Sequence, residues 1–226
     1  MNRYETVVSG DIRQQVSASS ANKVLKNTYM LLSGTLFFSA VMAMVSMALN
    51  VPPIAYMISV IASMLLGMFV LPRTANSASG IGVIFLVTGL LGFGLGPILQ
   101  IYLAMPHGGQ TIATAFGGTG IIFLGLSGYA LTTKRDFSFM GGFLFAGMMV
   151  LVVGMVANLF LHMPMLSLAV AGGIILVMSG FILFDTARII RGGETNYIMA
   201  TYGLYLSIFN IFISLLQILG IFGGDD

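Results

Sequence analysis

Asp185 is the only acidic residue inside the long apolar runs of this chain, and Arg188 follows it three positions later. An ionised carboxylate at the centre of a bilayer costs at least ~2.5 kcal/mol, so such a residue is either functional or relieved by a neighbour. Two readings stay open: a titrating group at a polar site, or a pair with Arg188 at i+3, near enough to the interface to snorkel. A second candidate is a stripe. Gly203, Ser207, Asn210, Ser214 and Gln217 step by 4, 3, 4 and 3 and therefore share one helical face, while Leu204, Ile208, Ile211, Leu215 and Ile218 occupy the others. Small and polar side chains in a membrane belong against protein or water, so this last helix is expected in the middle of a bundle. Plain packing and a water-accessible path both fit that face. Gly89, Gly92, Gly94 and Gly96, followed by Pro97, predict close helix approach and a bend. Asn158 is expected to hydrogen-bond between helices.

Other chemistries fail on spacing. The tetrapeptide GLSG at 125–128 matches the G-x-S-G of rhomboid intramembrane proteases, but a serine nucleophile needs a base within ~3 Å. His107 and His162 fall in linkers at the opposite membrane face from Ser127 and read as solvated side chains. No H-E-x-x-H pair and no phosphate loop occurs, and one membrane acid cannot make an aspartyl dyad. With Cys 0, disulfides and thiolate sites are excluded. No metal, cofactor or enzymatic activity is expected.

Positioning these residues falls to helices in lipid. Of 226 residues, nine are Lys or Arg and seven Asp or Glu, 7% in all, against roughly 25% in an average soluble domain. A chain that is 58% hydrophobic cannot disperse in water as a monomer, and a net charge of +2 is too small to argue for nucleic acid. Seven runs suit spans of ~20 residues: 28–50, 54–72, 80–103, 111–132, 138–161, 165–190 and Tyr197–Phe222. Arg3, Arg13, Lys23, Lys26, Arg73, Lys134, Arg135, Arg188 and Arg191 all fall on one side of that alternating arrangement, which the positive-inside rule assigns to the cytoplasm. The expected fold is an all-α membrane protein with seven transmembrane helices around a central C-terminal helix, N-terminus cytoplasmic and C-terminus periplasmic. Tyr29, Tyr129 and Tyr197 near inner ends and Tyr56 and Tyr102 near outer ends suit an interfacial belt. The domain reading is a flexible leader (1–27), the seven-helix body (28–222) and a short acidic tail (223–226). The leader is polar and includes SASSAN at 17–22, and it reads as unfolded. As a coil its ends would lie about 30 Å apart, and it could stretch to roughly 90 Å.

Six stretches in order resemble the Bax inhibitor-1 (transmembrane BAX inhibitor motif) family, most closely its bacterial YccA branch. They are VLKNTYMLLSGTL (24–36), GFGLGPILQIYL (92–103), LTTKRDFSFMGG (131–142), GMVANLFL (154–161), FDTARIIRGGETNYI (184–198) and LYLSIFNIFISLLQILG (204–220). The resemblance implies seven helices around a central last one, in a bacterial inner membrane, and two activities. Some members are pH-sensitive calcium or proton leaks, using an aspartate pair on the sixth and seventh helices latched by a basic residue of the second. The YccA branch binds the membrane-anchored AAA+ protease FtsH and modulates its degradation of membrane proteins. Asp185 occupies the first aspartate position, Ser207 stands in the place of the second, and Arg73 lies close to the latch. Two coupled carboxylates titrate near neutrality because both cannot cheaply ionise together. One carboxylate beside a serine lacks that coupling, so the regulatory activity is favoured over the leak.

Overall fold

The computed structural model describes residues 3–133 and 135–223, the side chains of 3–18 excepted. Lys134 and residues 224–226 of the acidic tail lie outside the described residues. Seven helices are long and apolar enough to cross a membrane: α1 (Arg3–Ala48, apolar from Ser19), α2 (Ile54–Thr74), α3 (Ser79–Leu103), α4 (Gly108–Thr132), α5 (Met140–Leu161), α6 (Pro164–Ile190) and α7 (Tyr197–Phe222). No strand occurs among the described residues. Each satisfies its backbone internally, as lipid requires.

The boundaries follow the sequence reading to within a few residues, except at the start. Residues 19–27, expected within an unfolded leader, are helical, and the α1 backbone is helical back to Arg3. Extending a nucleated helix costs little per residue, and the added turns find partners. Ala21 is buried, and Val24 and Leu25 pack on the central core.

Cross-links between turns define two ends. At one, Asn196 Nδ2 donates to the Ala75 carbonyl (3.0 Å) and to Asn76 Oδ1 (2.8 Å), Arg191 pairs with Asp136 at 3.7 Å, and Thr201 Oγ1 donates to the Thr28 carbonyl (3.3 Å). Lys23, Lys26, Arg73, Arg135, Arg188 and Arg191 all lie toward this end. At the other, Gln100 Nε2 donates to the Met47 carbonyl (2.7 Å) and Asn50 Oδ1 (3.2 Å). The turns there pass through three left-handed residues that are not glycine, Asn50, His107 and His162, a conformation Asn and His tolerate better than most.

Helix α7 packs against α1, α3, α4 and α6. Its Leu204, Tyr205 and Ile208 meet Leu32 of α1, Val87 and Leu91 of α3 and Ile189 of α6. The core is shared with α3, which is the more enclosed: 56% of its most apolar stretch is buried, against 44% for α7 and 6% for peripheral α5. The α3 glycines explain this. A methyl group on Gly92 would overlap the Ser39 backbone, one on Gly96 would overlap Ser46, and one on Gly94 would stand 2.9 Å from Ser59 Cβ of α2. Without side chains at these positions the backbones of α1 and α2 close on α3, and in lipid such packing is what drives association.

One feature had no sequence signal. Leu66–Val70 form a π-helical turn inside α2, where Gly67 makes room for the Tyr202 hydroxyl of α7. Such turns occur mostly as single insertions inside α-helices, and often at functional sites.

Candidate functional site

Asp185 lies on the last two turns of α6, facing α7 at a glycine: a Cβ on Gly203 would stand 3.0 Å from its Oδ2. One turn on, the buried Ser207 donates its hydroxyl to the Gly203 carbonyl (3.1 Å), so Asp185 and Ser207 flank Gly203 on the α6–α7 seam. The i+3 pair with Arg188 does not form. The chain reverses at Gly192 (φ 73°), and the Gly193 and Glu194 N–H groups donate to the Arg188 carbonyl, capping α6. That turn brings Glu194 over the helix end. Arg188 Nη2 pairs with Glu194 Oε2 at 3.2 Å, and its Nε donates to the Gly193 carbonyl at 3.2 Å. Asp185 makes no hydrogen bond or ion pair among the described residues. Arg73 does not reach it either. Exposed on the turn after the π segment, Arg73 donates Nη1 to the Phe69 carbonyl (3.0 Å).

Of the rest of the stripe, one residue bonds across to another helix. Gln217 Nε2 donates to Ser167 Oγ of α6. Asn210 Nδ2 turns back to the Leu206 carbonyl at 2.8 Å, and Ser214 is buried. Two expectations need correction. Asn158 bonds within its own turn, its Oδ1 accepting from the Met163 N–H at 3.0 Å, a donor that lies between α5 and α6 and belongs to neither helix's ladder. Tyr29 turns inward against Phe123 of α4 (centroids 5.9 Å) instead of joining a belt. Ser127 is buried near the cation-bearing end of α4, whereas His107 precedes the other end of that helix, roughly 30 Å away at 1.5 Å per residue.

Sequence reasoning missed the polar bridge at the core. Tyr205 is 1% exposed, and its hydroxyl bonds Ser39 Oγ of α1 (2.6 Å) and donates to the Thr88 carbonyl of α3 (3.2 Å), tying three helices together. Its signal lay on α1, where buried Thr28, Thr35, Ser39 and Ser46 repeat at 7, 4 and 7. Near the Asp185 end, Thr28 Oγ1, Tyr29 OH, Ser127 Oγ and Thr186 Oγ1 are buried and unbonded among the described residues.

The family model described as "Inhibitor of apoptosis-promoting Bax1" matches residues 21–224. The chain belongs to the Bax inhibitor-1 family. A Vibrio cholerae relative described as an uncharacterized membrane protein is 52% identical, over 91% of this chain and 92% of its own. An Escherichia coli K12 relative named Modulator of FtsH protease YccA is 50% identical, over 93% of this chain and 95% of its own. A second E. coli relative, from strain CFT073, is named Inner membrane protein YccA and matches at the same identity. This Bax inhibitor-1 protein is a multi-pass protein of the inner membrane.

The Bax inhibitor-1 chain carries a second charged device, outside the spans. Asp136 Oδ1 accepts from the Ser138 hydroxyl (2.6 Å) and N–H (2.9 Å), and these bonds, with a smaller contribution from Arg191, hold its carboxyl below the ordinary 3.8. A carboxylate depressed on folding contributes stability above its unfolded pKa and loses it as pH falls through the folded value. The link between loops 133–139 and 191–196 is therefore expected to persist from pH 7 to about 4 and to loosen only below 3.8. Amide exchange of Ser138, followed against pH, checks this. Asp136→Asn should flatten the profile.

Proposed function

We propose that this chain is a regulatory partner of the membrane protease FtsH, acting by association rather than by catalysis. The observation that carries the reading is the 50% identity, over 93% of the chain, to the E. coli protein named Modulator of FtsH protease YccA. The fold supplies a means. Helix α1 has 46 residues, about 69 Å at 1.5 Å per residue, against a hydrocarbon core of ~30 Å. Residues 3–18 thus extend the helix some 24 Å beyond its apolar part, on the side the positive-inside rule makes cytoplasmic. An unsupported helix of that length is marginal in water. It can melt into the extended handle that a pulling protease engages, while the helical body resists extraction and occupies the protease. The test is co-purification of FtsH from membranes with the full chain and with residues 1–18 deleted. Association is expected for the full chain and mostly lost without the leader. Loss of the leader effect alone would remove the handle, and no association in either form would remove the whole reading.

A second reading, a pH-sensitive leak of calcium or protons, is favoured by one observation: Asp185 has no bonded partner among the described residues, and the hydroxyl of the adjacent Thr186 is buried and unbonded. Ser207 in place of a second acid and the outward course of Arg73 weigh against it. Purified protein in proteoliposomes is expected to pass no calcium or protons above empty vesicles between pH 5 and 8, the range where a coupled acid pair would switch. A flux abolished by Asp185→Asn would establish the leak instead.

A further inference from the structure

At the cation-bearing end, α1, α3 and α7 leave a groove of about 280 Å³ open to the side of the bundle, lined by Asn27, Met30, Leu31, Gly34, Ile81, Phe85 and Tyr197. Its body is apolar and its floor is glycine. A Cβ on Gly34 would stand 3.5 Å from the Phe85 ring, in ordinary contact, and that ring packs T-shaped with Phe38 (centroids 5.5 Å), so a longer side chain at position 34 would run into the hollow. The volume falls below the ~300 Å³ of ordinary small-molecule sites and suits a length of single chain. From Asn27 to Gly34 the groove follows α1 for about 10 Å along the membrane normal.

Asn27 and Tyr197 set its polar rim, and charge lies just beyond. Lys23 and Lys26 precede Asn27 and Met30 by one turn each, so the face that lines the groove continues outward into two exposed ammonium groups. Neither makes an ion pair among the described residues. The acids with described side chains are engaged or remote: Asp136 pairs with Arg191, Glu194 with Arg188, and Asp185 faces Gly203. The rim is positive above an apolar slot, which complements one kind of molecule.

We propose that this groove is a binding site for an anionic phospholipid, one acyl chain lying over Gly34 between Met30, Ile81 and Phe85 and the phosphate held by Lys23 and Lys26. The lipid would fill the wall between α1, α3 and α7 at the point where α1 leaves the membrane, and so couple headgroup composition to the footing of the leader helix. Basic residues near a membrane surface each strengthen binding of an anionic lipid about fivefold.

The test titrates the purified full chain in detergent with dioleoyl phosphatidylglycerol, dioleoyl phosphatidylethanolamine or soluble glycerol phosphate, reading bound molecules by native mass spectrometry. Phosphatidylglycerol should bind at least tenfold tighter than phosphatidylethanolamine, and glycerol phosphate alone should not be retained. Lys23→Gln with Lys26→Gln, at exposed positions, should weaken phosphatidylglycerol about thirtyfold and erase the preference. Gly34→Leu should weaken both lipids alike, with far-ultraviolet circular dichroism confirming the helices. Equal affinity for the two lipids, an unchanged preference in the double lysine variant, unchanged binding in a folded Gly34→Leu, or retention of glycerol phosphate would each overturn the proposal.

Discussion

Gly92→Ala is expected to lower the unfolding free energy by about 3 kcal/mol, and Gly92→Leu to abolish the folded protein. The new methyl group would meet the carbonyl oxygen, carbonyl carbon and hydroxyl of Ser39, and a backbone group cannot rotate aside as a flexible side chain can. Relief requires α1 to back away from α3. That would also part Ser39 from Tyr205 and open the most extensive helix contact among the described residues. Gly82 is the matched control, since it lies on the same helix with nothing within 4 Å of its Cβ position. Gly82→Ala should be neutral or stabilise by up to about 1 kcal/mol through helix propensity. Thermal unfolding in detergent compares the two, and equal behaviour would show that close α1–α3 approach does not hold the bundle.

Tyr205→Ala is the other large effect, about 3–5 kcal/mol, the range for truncating a fully buried aromatic. The ring is lost from the cluster that joins α1, α3, α6 and α7, together with its stacking on Phe209 at 6.1 Å. Ser39 Oγ and the Thr88 carbonyl both lose the bond they share with the hydroxyl. The hydroxyl's share is smaller. Tyr205→Phe should cost about 1 kcal/mol, because interhelical hydrogen bonds in membranes average ~0.6 and reach ~1.7. A double-mutant cycle with Ser39→Ala isolates the coupling between the two hydroxyls. A Tyr205→Ala protein as stable as Tyr205→Phe would mean that the bridge, and not the ring, carries the stability.

The spans were legible because hydrocarbon allows only long apolar helices, and the grouping of the cations at one end followed from their alternation along the sequence. The glycines of α3 signalled close packing, since in lipid a small residue has few other uses. The central position of α7 showed in its polar stripe, yet the greater burial of α3 did not, because glycines exclude lipid without displaying a polar face. Around Asp185 the reading was limited by geometry that spacing does not carry. Arg188 stands at the right interval for a pair, but the left-handed Gly192 offers it Glu194 instead. Likeness of position alone puts Arg73 near the latch, and the π turn that precedes it leaves no trace in the residue pattern. Composition alone makes the leader a coil, because it omits the support that Ala21, Val24 and Leu25 gain from the core.

The regulatory reading stands or falls on the fate of other proteins. The most direct measurement is the half-life of a membrane-embedded FtsH substrate, followed by pulse-chase in cells with normal and raised levels of this chain. The substrate should persist severalfold longer when the chain is abundant, and the effect should shrink when residues 1–18 are absent. Identical decay at both levels, with the chain inserted and FtsH active, would contradict it.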